Sequence, residues 1–321
     1  MKTAPRTKDA HTPPTVIITG PTATGKTDLS LTLARHFDAP VISADARQCY
    51  KYLDIGTGKV PKTVRDEIPH YHIDTLYPDE TFTAADFADR YREWSRSIHE
   101  QGKPVIVAGG STLYIESLIR PLDPLPPKND ANIRELEHRA ERDGLQSIRK
   151  KLQEVDPTYL ERIDGPNPHR MFRALDVWMQ TGQPFSSFHR NRPLRTPDNT
   201  LLVCLHRDRN ELHDRISKRV DGMFAEGLVD EVRNILDMGY HPGLQSLRTV
   251  GYREVIAHLH SDLSENAMIA QIKTNTRRYA RRQLTWFRRW EGVTRMDQTG
   301  QSETNLASRV CSMAEQLAAE T

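Results

Sequence analysis

Gly20-Pro-Thr-Ala-Thr-Gly-Lys-Thr27 is the stretch that decides the fold of this 321-residue chain. It matches the pattern G-x-x-x-x-G-K-[ST], and it lies between an apolar run, Val16 to Thr19, and a helix-like segment, Asp28 to Phe37. In that order of strand, loop and helix, backbone N–H groups and a helix N-terminus can surround a phosphate. The stretch therefore predicts a phosphate-binding loop, or P-loop, in which Lys26 adds a full charge and Thr27 can ligate Mg²⁺. The alternative is a glycine-rich turn that matches by chance.

Three further apolar runs have the β-branched character of strands that are buried on both faces. They are Val41 to Ala44, Pro104 to Ala108, and Leu201 to Leu205. Together with Val16 to Thr19 they predict a parallel sheet. Helical patterns separate the runs, so we expect an α/β fold with helices on the sheet and right-handed crossovers.

The gap between the third and fourth runs is too long for one crossover. It opens with a proline-rich stretch at 121–127 and closes with a second at 191–197, and the sequence between them is helical and highly charged. We therefore predict a P-loop core at 15–120 and 201–300 with an inserted all-helical subdomain at 121–200. Residues 1–14 are expected to form a disordered tail, and 301–321 a tail or a helix.

The composition excludes several classes of protein. With 37% hydrophobic and 27% charged residues, the chain has no apolar run near the 18 or so residues that a membrane span needs. The polar N-terminus is not a secretory signal, so we expect a cytoplasmic protein. The cysteines Cys49, Cys204 and Cys311 are far apart and lack CxxC spacing, which argues against a disulfide framework or a zinc finger.

A basic segment near the C-terminus departs from the nearly balanced net charge of +2. Between 271 and 290 there is no acidic residue, and the basic ones are Lys273, Arg277, Arg278, Arg281, Arg282, Arg288 and Arg289. Aromatic residues are interleaved with them, namely Tyr279, Trp286, Phe287 and Trp290. Such a segment can neutralise phosphates and stack exposed bases. The alternative is an amphipathic helix whose aromatics are core and whose arginines are solvated.

Asp45 follows the second predicted strand, at the edge where open α/β sheets bind ligands. It is the candidate general base, and the alternatives are a helix N-cap or an acid linked to Mg²⁺. Gly109 and Gly110 follow the third strand and permit either close approach of a ligand or a tight turn. His70 and His72 have no third ligand at metal spacing, so we expect a loop or strand role for them.

Several sequence blocks together resemble the tRNA dimethylallyltransferase (isopentenyltransferase) family, from Thr15 to about Trp290. Only the P-loop block is shared widely with other proteins, and the others occur in the family's order and spacing. The blocks are Gly20 to Thr27, Ser43 to Gln48 with Leu53 to Thr57, Pro69 to Asp74, Phe82 to Phe87, Asn167 to Arg170 with Arg173 to Leu175, Val250 to Glu254, and Thr276 to Arg288.

The resemblance implies transfer of a dimethylallyl group from dimethylallyl diphosphate to N6 of adenosine 37 next to the tRNA anticodon, with Mg²⁺ as cofactor. It implies that Asp45, Lys26, Thr27 and an arginine within 215–219, of which we select Arg219, carry the catalysis. The diphosphate would be bound by Gly20, Pro21, Thr22, Ala23, Thr24, Gly25, Lys26 and Thr27. The tRNA would contact Asp45, Ala46, Arg47, Gln48, Ser111, His169, Arg170, Arg173, Arg248, Gly251, Tyr252, Arg253, Arg278, Arg281, Arg282, Gln283, Trp286 and Arg288. We expect a monomer.

The chain departs from the family's pattern at three places. Ala46 stands where Ser is usual, Ser111-Thr112 where Thr-Gly is usual, and Asn167-Pro168 where many members have Asn-Asp. No Cys/His pair follows Trp290, so the zinc finger of eukaryotic relatives is missing and a bacterial-type enzyme is implied.

Three other functions remain open from the sequence. A nucleoside or nucleotide kinase would use the same loop for ATP. A relative that prenylates free AMP would not need the helical insertion or the arginine-rich segment. A non-catalytic RNA-binding module would have a vestigial P-loop, and the intact Lys26 and Thr27 argue against it.

Overall fold

The computed structural model describes residues 13–163, 165, 167–189, 194–301 and 303–320. A parallel six-stranded sheet forms its centre, with the strand order β3-β2-β4-β1-β5-β6. The strands are β1 Thr15–Thr19, β2 Val41–Ser43, β3 His70–Tyr71, β4 Val105–Ala108, β5 Thr200–His206 and β6 Thr294–Asp297. The predicted α/β fold is thus confirmed, and the tail predicted at 1–14 lies largely outside the described residues.

Helices occupy most of the remaining described chain. They are α1 Lys26–His36, α2 Lys62–Glu67, α3 Ala84–Glu100, α4 Thr112–Ile119, α5 Asp130–Asp143, α6 Leu145–Val155, α7 Pro157–Arg162, α8 Pro168–Thr181, α9 Arg209–Ala225, α10 Leu228–Asp237, α11 Tyr252–Leu259, α12 Glu265–Phe287 and α13 Glu303–Glu320. A 3₁₀ turn spans Phe185–Phe188. No helix within the described ranges has the length and apolarity needed to cross a membrane.

Both faces of the sheet are buried, which explains the continuous apolar runs in its strands. Side chains alternate between the faces, so Val16 and Ile18 pack with Leu33 of α1 on one side. On the other side, Ile17 packs in a cluster with Phe87 of α3. Because helices cover both sides, most positions of the interior strands are apolar. This packing fixes the carboxyl ends of β1, β2 and β4 at one edge.

A smaller compact unit, Pro121–Pro193, contains α5 to α8 and has its own apolar core, including Ile148, Leu152 and Leu175. Asp176 is buried within it and accepts a hydrogen bond from the Arg173 Nη1 (2.6 Å). Residues 194–200, which the sequence suggested were part of the insertion, group with the larger unit. The reason is local, because Glu291 N–H donates to Leu194 O at 3.2 Å.

Candidate active site

The P-loop connects β1 to α1 and is shaped by glycine. Gly20 has φ 136°, and a Cβ there would lie 2.3 Å from Leu205 O, so only glycine fits. Gly25 (φ 94°) precedes the first turn of α1, and Thr24 Oγ1 donates to Pro21 O at 2.8 Å. The result is a closed loop at a helix N-terminus, where backbone N–H groups and the helix dipole favour an anion.

Lys26 begins α1, and its ammonium points back into the loop. Its Nζ donates to Pro21 O at 2.6 Å. Burial, and then the positive charge of Arg219, lower the pKa of Lys26 to about 8, while the Asp45 carboxylate acts in the opposite direction. In the free protein the ammonium form of Lys26 therefore has too little negative charge near it, and a bound anion would stabilise it.

Arg219 projects from α9 into the same region. Burial lowers its pKa, and Asp45 and Glu226 oppose that change. Its Nη2 donates to Thr57 O at 3.3 Å. Arg215, one turn earlier on α9, instead donates from Nε to Ala23 O at 2.9 Å and so holds the P-loop backbone. Of the two arginines, Arg219 is the one that lines the cavity described next.

A cavity of about 380 Å³ opens beside the P-loop. It brings together residues from the carboxyl edge of the sheet, α9, the start of α11 and the inner face of α12. The residues of its lining that the sequence predicted as site residues are Thr22, Lys26, Thr27, Asp45, Ala46, Arg47, Gln48, Arg219, Arg248, Gly251, Arg253, Arg282 and Gln283.

Asp45 lies at the carboxyl end of β2, just beyond Ser43, and lines this cavity. The backbone N–H groups of Arg47 and Gln48 donate to its Oδ1 at 2.8 and 3.4 Å, so one oxygen caps the turn that follows. The other oxygen, Oδ2, has no hydrogen-bond partner within the part of the chain that the structure describes. The capping alternative and a chemical role are therefore compatible, because each uses a different oxygen.

Two residues predicted to contact tRNA have buried side chains that form hydrogen bonds within the protein. Tyr252 is fully buried, and its hydroxyl donates to Glu231 Oε1 at 2.6 Å. Gln283 is 3% exposed; its Nε2 donates to Gly110 O at 2.8 Å, and its Oε1 accepts from Thr22 N–H at 3.1 Å. The Tyr252 side chain is thus used within the protein, and its contact with tRNA stays a prediction. Gln283 borders the cavity and joins α12 to the P-loop.

The other predicted tRNA contacts lie at surfaces of the two units. On α12, Arg278, Arg281 and Arg282 are exposed, as is Arg288 just after it. Trp286 is partly buried under the Arg289 guanidinium, 5.7 Å from the ring centre. In the smaller unit, the described side chains of His169 and Arg170 are exposed, while Arg173 pairs with Asp176. Ser111 precedes α4 and is not part of the cavity lining.

Several cavity residues were missed by sequence reasoning. Gly56, Thr57 and Gly58 form part of the wall, as does Met223 on α9. Tyr279 on α12 also lines the cavity, and the sequence had named it only as an aromatic residue of the basic segment. Gly56 and Thr57 belong to one of the family's blocks, yet neither carries a charge that would single it out. The signal available was the pair of glycines, and Gly58 has φ 59°.

The donor set fits Mg²⁺ only in company with a phosphate ligand. Among the described residues, no three His, Cys, Asp or Glu side chains form a group that could hold a metal ion by themselves. Mg²⁺ is usually bound through one or two carboxylates together with substrate phosphates and water. The Thr27 hydroxyl and the Asp45 carboxylate line the same cavity and are oxygen ligands of that kind. His72 is buried among aromatic rings and does not line the cavity, whereas His70 lines it and donates from Nδ1 to Ile68 O at 2.7 Å.

Comparison with known proteins identifies the family. Residues 48–290 match the family described as IPP transferase. A tRNA dimethylallyltransferase of Alkaliphilus metalliredigens is 39% identical over 296 residues, which cover 92% of this chain and 95% of the relative. One of Bacillus cereus (strain AH187) is 41% identical over 290 residues, 90% of this chain and 91% of the relative.

Solved structures agree with the sequence comparison. The full-length tRNA isopentenylpyrophosphate transferase of Bacillus halodurans superposes with a TM-score of 0.69 at 34% identity, covering 95% of this chain and 98% of that one. A eukaryotic dimethylallyltransferase acting on tRNA gives a TM-score of 0.78 at 25% identity, covering 95% and 79%. This chain belongs to the IPP transferase family, whose similar members are named tRNA dimethylallyltransferases.

Proposed function

We propose that the protein transfers the dimethylallyl group of dimethylallyl diphosphate to N6 of adenosine 37 next to the tRNA anticodon. The products are N6-dimethylallyladenosine (i6A) and diphosphate. The observation that carries the proposal is one cavity that holds two partly buried cations, Lys26 and Arg219, together with the carboxylate of Asp45. The cations suit a departing diphosphate, and the carboxylate suits an amine that gains positive charge.

The donor's diphosphate is assigned to the P-loop. Neither Lys26 nor Arg219 forms an ion pair with an acidic side chain within the described residues, and both donate only to backbone carbonyls there, of Pro21 and Thr57. Buried cations without a paired anion are unfavourable, so a diphosphate that reaches both is bound strongly. Mg²⁺, which the Thr27 hydroxyl would hold together with the diphosphate, would supply further positive charge to the leaving group.

The acceptor's adenine is assigned to the Asp45 side of the cavity. A base within an anticodon loop is stacked, so it has to leave the stack before its N6 can approach the donor. Arg248, Arg253 and Arg282 line this part of the cavity and provide positive charge for the neighbouring phosphates. We further propose that the protein acts as a monomer in the cytoplasm.

The arginines of α12 are proposed to contact the tRNA backbone. The helix presents Thr276, Tyr279 and Gln283 to the cavity, while Arg278 and Arg281 are exposed. A single helix thus places positive charge beside the opening through which an extruded base enters. The amphipathic alternative is partly true, since Ile272, Ala280 and Phe287 of the same helix are buried.

Changing Arg278 and Arg282 to glutamine should weaken tRNA binding and flatten its dependence on salt. Each phosphate contact that is lost reduces the slope of log K against log salt by up to about one unit. The measurement is the tRNA dissociation constant at several salt concentrations. Dimethylallyl diphosphate binding should be unchanged.

The matched control is the pair Arg90→Gln and Arg92→Gln on α3. These arginines are exposed to a similar degree and are ion-paired on their own helix with Glu93 and Asp89. Their loss removes the same charge and should leave the salt slope alone. An unchanged slope for the Arg278 and Arg282 variant would show that these arginines are solvated without contacting tRNA.

Mass spectrometry of nucleosides tests the activity directly. Unmodified tRNA incubated with the protein, dimethylallyl diphosphate and Mg²⁺ should yield i6A at position 37, whereas free AMP should not be prenylated. A kinase would be stabilised against thermal unfolding more by ATP than by dimethylallyl diphosphate at equal concentration, and we expect the reverse. Absence of i6A with a folded protein would contradict the proposed function.

A further inference from the structure

Glu231 on α10 binds the backbone of a loop in the cavity wall, the 53–58 loop. Its Oε2 accepts hydrogen bonds from the N–H groups of Asp54 (2.9 Å) and Ile55 (2.6 Å), and its Oε1 accepts from Gly56 N–H (3.1 Å). Three successive backbone N–H groups that converge on one carboxylate form an anion-binding nest. Hydrogen bonds to an ionised acceptor are among the stronger ones in proteins.

Tyr252 completes this arrangement from α11. Its hydroxyl donates to Glu231 Oε1 at 2.6 Å, and its ring is fully buried. Burial, followed by the charge of Glu231, raises the pKa of Tyr252 well above its usual range, so the phenol remains a donor. The ring also lies against Gly56, where a Cβ would approach Tyr252 Cε2 to 2.4 Å. Glu231 therefore holds the loop backbone by hydrogen bonds, and the ring of Tyr252 limits where Gly56 can lie.

The opposite side of the 53–58 loop holds Arg219. Thr57 O accepts from the Arg219 Nη2 at 3.3 Å, and a Cβ at Gly58 would lie only 2.1 Å from that nitrogen. The guanidinium therefore lies directly on the backbone of the loop. Just after the loop, the buried Lys59 donates to Tyr50 O at 2.6 Å and to Asp54 Oδ1 at 2.7 Å. If the loop moved, the Arg219 guanidinium would lose the Thr57 carbonyl that it binds.

We infer that Glu231, together with Tyr252, is a positioning group that orients Arg219 toward the donor's diphosphate through the 53–58 loop. Glu231 is not part of the cavity lining, so it acts without touching substrate. A free arginine side chain has many rotamers, and binding a ligand restricts them at an entropic cost. If the side chain is already held in place before the ligand binds, that cost is smaller and the affinity is higher. The inference rests on the proposed function, because it takes the cavity to be the diphosphate site.

The test is direct binding of dimethylallyl diphosphate, without tRNA, to the full chain and its variants. Glu231→Gln replaces one acceptor oxygen by an amide N–H group, which then lies opposite at least one N–H group of the loop. We expect the dissociation constant of dimethylallyl diphosphate to rise about tenfold. Tyr252→Phe removes one hydrogen bond and keeps the ring against Gly56; it should raise the constant about two- to threefold. The dissociation constant of tRNA should not change in either variant.

A double-mutant cycle with Arg219→Gln separates positioning from simple structural support. If Glu231 acts through Arg219, adding Glu231→Gln to Arg219→Gln should change donor binding by less than twofold. Tyr252→Phe should likewise lose its effect on donor binding in the Arg219→Gln background, and this variant carries the test if Glu231→Gln does not fold. Effects that are fully additive in both cycles would overturn the inference.

The control is Asp230→Asn, which removes a negative charge from the adjacent position of α10. Asp230 is exposed and pairs with Arg233, and it makes no contact with the 53–58 loop among the described interactions. Donor binding should be unchanged in this variant, and a tenfold loss there would make the Glu231 effect one of net charge and overturn the inference. Formation of i6A by the wild type tests the proposed function separately: its absence contradicts that function, whereas additive cycles in an active enzyme contradict only the positioning role.

Discussion

Lys26→Ala is expected to slow dimethylallyl transfer by about 10² to 10³ at saturating substrates while the protein remains folded. The ammonium lies at the N-terminus of α1 within the P-loop, and its only hydrogen bond among the described residues goes to Pro21 O. It forms no ion pair among the described residues, so its charge is available to a leaving group that gains negative charge. Single-turnover rates, with thermal unfolding measured in parallel, distinguish the chemical step from stability.

The pH dependence of donor binding provides an independent check on the same residue. Lys26 has a pKa of about 8 in the free protein, and a bound diphosphate raises it. Below pH 8 the ammonium is already charged, whereas above pH 8 the binding of the diphosphate requires uptake of a proton. The affinity for dimethylallyl diphosphate should therefore fall as pH rises above 8, by up to about tenfold per pH unit. Lys26→Ala should remove this dependence.

An exposed lysine supplies the control. Lys62 on α2 is 78% exposed and pairs with Asp66, so Lys62→Ala should leave both the rate and the pH dependence unchanged. If Lys26→Ala kept near-normal turnover, the assignment of the diphosphate to the P-loop would be wrong.

The central strands could be predicted from sequence because they are buried on both faces. β1, β2, β4 and β5 appear as continuous apolar runs, and the structure has them within one or two residues of the predicted bounds. The edge strands could not be predicted in this way. β3 has only two residues, both half-buried, and β6 is Thr-Arg-Met-Asp with Met296 as its one buried side chain. Edge strands lack the second apolar face that produces the signal.

The P-loop and Asp45 could be located in the sequence because each follows a strand and therefore lies at one edge of a parallel sheet. The contacts of Gln283 and Glu231 could not be predicted from the sequence. Gln283 reaches Thr22 and Gly110 only because α12 packs beside the P-loop, and Glu231 reaches the 53–58 loop only because α10 and α11 pack behind it. Such contacts join residues distant in sequence, and a polar side chain gives no indication of whether it will face solvent or a buried backbone group.

Asp45→Asn should lower the transfer rate by about 10² to 10⁴. The adenine N6 is a poor nucleophile because its lone pair is delocalised into the ring. As N6 attacks the carbon that carries the diphosphate, the C–O bond breaks and its electron pair leaves with the diphosphate. The positive charge that develops on N6 is relieved when its proton passes to a carboxylate. Asp45 lines the cavity and is the candidate acceptor, and asparagine has no equivalent basicity.

Asparagine at this position preserves the local structure, which makes the substitution informative. Its side-chain oxygen can still accept the hydrogen bonds that Asp45 Oδ1 accepts from Arg47 and Gln48, so the turn after β2 should persist. If Asp45 serves the acceptor, binding of dimethylallyl diphosphate with Mg²⁺ should barely change while the single-turnover rate falls. Should the substitution instead abolish Mg²⁺-dependent donor binding and leave chemistry intact at saturating donor, Asp45 would act through the metal ion. The proton acceptor would then have to be another group in the cavity.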